Sequence, residues 1–133
     1  MLNQIRYIPM PHIIIEHSSD INSNKIVEIE KTIQSLMPNI EGGNLDPNQC
    51  KARSFSFNEY LVGMSDQLNS SFLHITIKIL TGRSIEIRQK LSEEVFVSVQ
   101  KLLEASLAKT STRCDISVDI VEMDRNIYKK IQK

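Results

Sequence analysis

The most regular pattern in the chain runs from Phe72 to Leu80, where Leu73, Ile75, Ile77 and Ile79 alternate with His74, Thr76 and Lys78. Successive strand residues point to opposite faces, so the alternation predicts a strand buried on one side. A shorter β-branched run from Pro11 to His17 predicts a first strand. Polar Ser18-Ser19-Asp20 and Asn22-Ser23-Asn24 then offer turn and helix-capping chemistry. Ile26, Ile29, Ile33, Leu36 and Met37 recur at helical spacing, with Pro38 as the stop. Gly42-Gly43-Asn44 and Asp46-Pro47 mark a loop, and alternation from about Lys51 to Val62 predicts a second strand with Arg53, Phe55, Phe57 and Leu61 on one face. Gly63 to Ser71 reads as a turn-rich connection.

After Thr81-Gly82-Arg83-Ser84, Ser84 suits the N-cap of a long helix with Ile87, Leu91, Val95, Val99, Leu102 and Leu103 inward, broken at Thr110 to Thr112. Ile116, Val118 and Ile120 alternate with Asp115, Ser117 and Asp119 in a fourth strand, and Ile127, Tyr128 and Ile131 lie in a basic tail. Strand, helix, strand therefore occurs twice. Each half has room for a right-handed crossover between parallel strands, which predicts a four-stranded sheet with both helices on one face. The other face is left open, and a closed homo-oligomer is the usual way to cover one.

Composition narrows the function classes. The chain has 133 residues, with 16 basic and 16 acidic side chains and few aromatics. That predicts one domain and no global field for nucleic acid or an anionic membrane, so anion binding has to come from a local cluster. Cys50 and Cys114 lack metal-site or CxxC spacing and fit packing roles in a reduced, cytoplasmic protein. No apolar run approaches the roughly 20 residues that span a bilayer, and residues 1–9 lack the features of a signal peptide. No Ser/His/Asp order, P-loop or GxGxxG supports a hydrolase, nucleotide-binding or dehydrogenase reading.

Met10-Pro11 holds the sharpest chemistry. A proline left at the amino terminus carries a secondary amine that can act as a base, since an ordinary α-amino group titrates at roughly 7.7–8.0 and nearby cations lower that value. The plain alternative is a proline at the first position of a strand. Arg83 sits between a strand end and a helix start, where free N–H groups and a guanidinium could hold a carboxylate; a solvated turn arginine is the alternative. Lys51 and Arg53 share a strand face as a second cationic pair or as two solvated charges. His12 and His17 fall on opposite faces, against a shared metal site. Glu16 beside His17 is an acid/base pair or an ordinary strand glutamate.

Met10-Pro11-His12-Ile13-Ile14-Ile15-Glu16, His74-Ile75-Thr76-Ile77-Lys78-Ile79 and Gly82-Arg83-Ser84-Ile85-Glu86-Ile87-Arg88-Gln89 together resemble the 5-carboxymethyl-2-hydroxymuconate isomerase family of the tautomerase superfamily. The likeness runs from Met10 to about Met123. It implies an α+β, tautomerase-like βαβ-βαβ protomer with a four-stranded mixed sheet and two helices on one face, assembled as a homotrimer. It further implies a cofactor-free isomerase in aromatic-compound degradation. The substrate is a small dienol carboxylate such as 5-carboxymethyl-2-hydroxymuconate, with no nucleic-acid or membrane partner and no metal. Pro11 matches the family's base, and Arg83, Arg53 and Lys51 match its substrate-binding cations. Lysine for arginine at position 51 departs from the pattern and loses the planar fork.

A second departure is the stretch before Pro11. With residues attached upstream, the Pro11 nitrogen is an amide. Residues 1–9 read either as an extension from a misplaced start, leaving 10–133 as a single tautomerase-like domain, or as part of a form that has lost the reaction. The alternatives to the isomerase are thus a non-catalytic trimeric binding or interaction module of the same fold with its proline site blocked, and a tautomerase for another enol acid.

Overall fold

The computed structural model describes residues 11–64, 70–107 and 113–133. The elements are β1 (His12–Ser18), α1 (Ser23–Leu36), β2 (Lys51–Phe57), β3 (Ser70–Leu80), α2 (Ile85–Leu107) and β4 (Arg113–Met123), with single 3-10 turns at Met37–Asn39 and Pro47–Gln49. The expected strand-helix-strand order is present twice. The sheet order is β2-β1-β3-β4, with β1 parallel to β2, β3 parallel to β4 and β1 antiparallel to β3. The expected break at 110–112 and the residues before Pro11 lie outside the described residues.

One apolar layer holds the halves together. Ile13 and Ile15 of β1 and Leu73, Ile75, Ile77 and Ile79 of β3 pack with Ile26, Ile29 and Ile33 of α1 and Leu91, Val95, Val99 and Leu103 of α2. The alternation in β3 and the helical spacing therefore point to the same buried volume, where each fully buried Ile or Leu contributes roughly 1.5–3 kcal/mol relative to exposure. Asn22 caps α1 by accepting from the Asn24 N–H at 2.7 Å, and the Ser84 hydroxyl accepts from the Ile87 N–H at 3.2 Å, as its cap reading predicts. No described helix is long and apolar enough to cross a membrane.

β2 ends earlier than its alternation suggests. Phe57 is its last residue and pairs with Ser18, the last residue of β1. Ser19 and Asp20 turn away, so Asn58 onward has no strand to bond. Leu61 lies outside the strand and is exposed, while Tyr60 folds back to donate its hydroxyl to the Ser70 carbonyl at 3.0 Å.

Register decides what meets at one end of the sheet. His12 lies between Lys51 of β2 and Lys78 of β3, at the start of β1, the start of β2 and the end of β3. The turn after β3 and the segment after β4 reach the same end, since Leu80 pairs with Met123.

Candidate active site

Pro11 is buried directly before β1, and its carbonyl accepts from the Lys51 N–H at 3.1 Å. His12 follows on the outer sheet face, half-buried, because Ile13 and Ile15 take the core side. Arg53 Nη1 lies 3.2 Å from His12 Nδ1, and Tyr128 Oη lies 2.9 Å from Nε2. A guanidinium only donates, so Nδ1 accepts and carries no proton. The ring is then the neutral Nε2–H tautomer, which donates to the tyrosine oxygen. Burial, followed by the charges of Arg53, Lys51, Lys78 and Lys130, holds the imidazole below its ordinary pKa. The charges that act on His12 are all cationic, which gives this end of the sheet a positive local field.

Of the expected cations, Lys51 and Arg53 join Pro11 and share one face, as their spacing predicts. Arg83 also reaches this end, but its guanidinium is engaged. Nε donates to the Gly43 carbonyl at 2.6 Å, Nη1 to Leu80 at 3.0 Å and Nη2 to Asn44 at 3.2 Å. Three of its five N–H groups therefore pin the loop after α1 to the end of β3. Burial and the nearby Arg125 lower its pKa. Rather than standing open beside the start of α2, Arg83 ties two loops.

Beside it, Gly82 has φ +127°, and a Cβ there would stand 3.2 Å from Arg125 Nη2. Arg125 in turn donates from Nε to the Thr81 carbonyl at 2.9 Å, while its backbone N–H bonds the Thr81 hydroxyl at 3.1 Å. This fastening starts the path that brings Tyr128 to His12.

The other candidates separate. His17 is buried on the core side and donates from Nδ1 to the Ser18 carbonyl at 2.8 Å, so Glu16, on the outer face, is not its acid/base partner. Among the described residues, no three His, Cys, Asp or Glu side chains gather as a metal site. Cys50 and Cys114 are free and half-buried; burial foremost pushes the Cys114 thiol up to about 11, which fits packing rather than nucleophilic chemistry.

A family model for 5-carboxymethyl-2-hydroxymuconate isomerase matches residues 11–132. The chain belongs to this family. It is accordingly an isomerase of the tautomerase superfamily. Solved structures agree on the fold. A 5-carboxymethyl-2-hydroxymuconate isomerase from Deinococcus radiodurans R1 superposes with a TM-score of 0.82 at 20% identity, covering 95% of this chain and 92% of that one. A 5-carboxymethyl-2-hydroxymuconate delta-isomerase gives 0.77 at 15% identity over 93% and 89%. The wild-type F6 fused 4-OT asymmetric trimer gives 0.66 at 9% identity over 92% and 94%. No curated protein sequence matches the chain.

Against the family's expected residues, the structure adds three that the sequence reading did not assign to the site: Lys78, Tyr128 and Lys130. Lys78 was readable as an outward residue of β3, but only the antiparallel register sets it beside His12. Tyr128 and Lys130 arrive on the segment after β4, where Lys130 Nζ donates to Gln49 Oε1 at 2.6 Å. No local pattern in the tail points to that path.

Proposed function

We propose that this isomerase acts without a cofactor on a 2-hydroxymuconate-type dienol with two or more carboxylates, of the 5-carboxymethyl-2-hydroxymuconate kind, in aromatic-compound degradation in the cytoplasm. The observation that carries the reading is the gathering of Lys51, Arg53, Lys78 and Lys130 around His12, the residue after Pro11. Fixed cations at one end of the sheet suit a ligand with several carboxylates and stabilise the charge that spreads over a dienolate. They also lower the pKa of an amine placed among them, favouring the unprotonated base at neutral pH.

In this reading Pro11, freed of the residues before it, takes the proton of the 2-hydroxyl group. The O–H electron pair becomes the carbonyl π bond, and the displaced enol pair passes along the diene to a chain carbon. The proline N–H returns the proton there, so the product is the conjugated 2-oxo isomer and nothing is oxidised. Arg53 and Lys51 hold carboxylate and dienolate oxygens, with Lys51 as a point charge rather than a fork. Arg83 contributes to carboxylate binding while three of its N–H groups fix the pocket loop. The residues from 10 onward form one domain, and the active form is a homotrimer, which covers the outward face of edge strand β2, where Phe55 is 53% and Phe57 38% exposed.

The second reading, a non-catalytic trimeric module, is favoured by the amide state of the Pro11 nitrogen whenever Met10 is attached. Intact mass of the protein made from its own gene, followed by an ultraviolet assay of dienol ketonisation, separates the two. A chain beginning at Pro11 is expected to turn over, and Pro11→Ala in the same trimmed form to lose roughly a hundredfold or more, the usual contribution of a positioned base. Full rate in the alanine variant overturns Pro11 as base. A chain that keeps Met1 and is silent toward 2-hydroxydienoates establishes the module. A panel including phenylenolpyruvate identifies a tautomerase of another enol acid.

A further inference from the structure

The hydrogen-bond chain at His12 runs in one direction. Arg53 donates to Nδ1, and the proton left on Nε2 is directed at Tyr128 Oη. The phenol oxygen is thereby an acceptor, and its own O–H points onward, with no acceptor among the described residues. A donor presented in this way, amid cations and held by His12, the residue that follows Pro11, is poised for an oxygen that carries or develops negative charge.

We propose that Tyr128 donates a hydrogen bond to such an oxygen of the ligand bound at the Pro11 end of the sheet, and that His12 is the positioning residue that aims it. The proposal rests on reading that end as the substrate site and adds to it a contact for a carboxylate or for the 2-oxygen of the dienol.

The segment carrying Tyr128 is built to hold it there. The Asp124 carbonyl accepts from the N–H groups of Ile127 and Tyr128 at 3.1 and 3.0 Å, and its carboxylate caps Asn126 at 2.9 Å. Arg125 fastens the turn to Thr81, and Lys130 fastens the far side to Gln49. The tyrosine ring meets the imidazole edge-on at 71°, with centroids 6.1 Å apart. Two anchors and a ring contact fix the phenol within reach of the cations that act on His12. A tail that only closed the sheet end needs the ring and the anchors; the directed hydroxyl proton is the feature that a ligand explains.

Isothermal titration of the full chain with adipate and with 2-oxoadipate tests it, because neither undergoes dienol ketonisation and the two differ by one oxygen. Tyr128→Phe keeps the ring and removes the donor. A loss of roughly tenfold for both ligands supports a carboxylate contact, and a loss of roughly threefold to tenfold for 2-oxoadipate alone supports the 2-oxygen; such factors are typical of hydrogen bonds to charged and neutral acceptors. Affinities unchanged by the substitution overturn the proposal, as does a wild-type protein that binds neither ligand. The imidazole 15N shifts of His12 give a second readout: an unprotonated Nδ1 is expected, and an Nδ1–H tautomer overturns the aiming role. A wild type that binds both ligands, loses affinity on Tyr128→Phe and yet ketonises no dienol sinks the isomerase reading while leaving this contact in place. Normal ketonisation with unchanged affinities does the reverse.

Discussion

The two βαβ halves follow the same order but finish differently. In the second, the 23-residue α2 lies against β4, and Ile116, Val118 and Ile120 pack partly buried against the common core. In the first, the 14-residue α1 lies mainly against α2 and only lightly against β2, and the 7-residue β2 offers only Ala52 to the core. Its Ser54 and Ser56 are exposed on one face, and Phe55 and Phe57 on the other. The second half is closed by its own helix. Both β2 and β4 are edge strands, but among the described strands only β2 exposes large apolar rings, Phe55 and Phe57, and that edge strand also carries Lys51 and Arg53. Site and uncovered edge are thus one region.

The largest effects test whether the halves are one folding unit. Ile29 of α1 and Leu91 of α2 are both fully buried in the same cluster. Ile29→Ala and Leu91→Ala are each expected to cost roughly 2–5 kcal/mol, read as a shift of the urea midpoint with unchanged slope. A biphasic transition for Ile29→Ala alone breaks the comparison, because it means the first half opens by itself.

The uncovered edge predicts a different pattern. Phe57→Ser removes a partly exposed ring that also meets Phe72 at 6.2 Å, and is expected to cost the protomer about 1 kcal/mol. It removes about 1.5–3 kcal/mol of apolar burial wherever a neighbouring copy covers that ring, weakening assembly at least about tenfold. Urea unfolding checks the first statement and sedimentation equilibrium the second. A monomeric wild type, or an assembly indifferent to Phe57→Ser, leaves the edge without its proposed cover.

The same contrast explains what the amino-acid pattern disclosed. Leu73, Ile75, Ile77 and Ile79 announce their strand because a helix layer and a sheet layer both select apolar residues at fixed periods. Ile26, Ile29 and Ile33 do so for α1 for the same reason. β2 was legible at its start and not at its end: the alternation runs on to Leu61, whereas the strand stops where β1 turns away after Ser18. In the site, Pro11, Lys51 and Arg53 follow from local spacing and the family likeness. Lys78, Tyr128 and Lys130 do not, because their places depend on an antiparallel register and on a tail fastened by Arg125. Arg83 was legible as a residue of that end but not as the tie between Gly43, Asn44 and Leu80, since backbone carbonyls leave no mark in a sequence.

Helix caps give a finer comparison. Asn22→Ala and Ser84→Ala each remove a side-chain acceptor from a helix start, expected to cost about 1 kcal/mol by thermal or urea unfolding. Asn22 has the shorter contact and the shorter helix, so its loss is expected to be the larger. Equal or reversed costs indicate that α1 is held more by packing than by its first turn.

The smallest effect comes from the site itself. His12 is kept neutral by burial and by Arg53, Lys51, Lys78 and Lys130, so its pKa in the fold lies below the ordinary 6.5. Between those two values the unfolded chain binds more protons than the folded one, and stability falls as pH drops below about 6.5, with no further loss from this group once pH is under the folded value. Above 6.5 the group is neutral in both states and contributes no slope. Urea midpoints measured from pH 7.5 to 5 are therefore expected to decline more steeply for the wild type than for His12→Gln. Parallel curves mean that the cations do not act on His12 as their placement requires. A steeper fall in the glutamine variant means that the imidazole takes up its proton more readily in the fold, with Arg53 swung away from Nδ1 and the directed chain to Tyr128 broken at its first link.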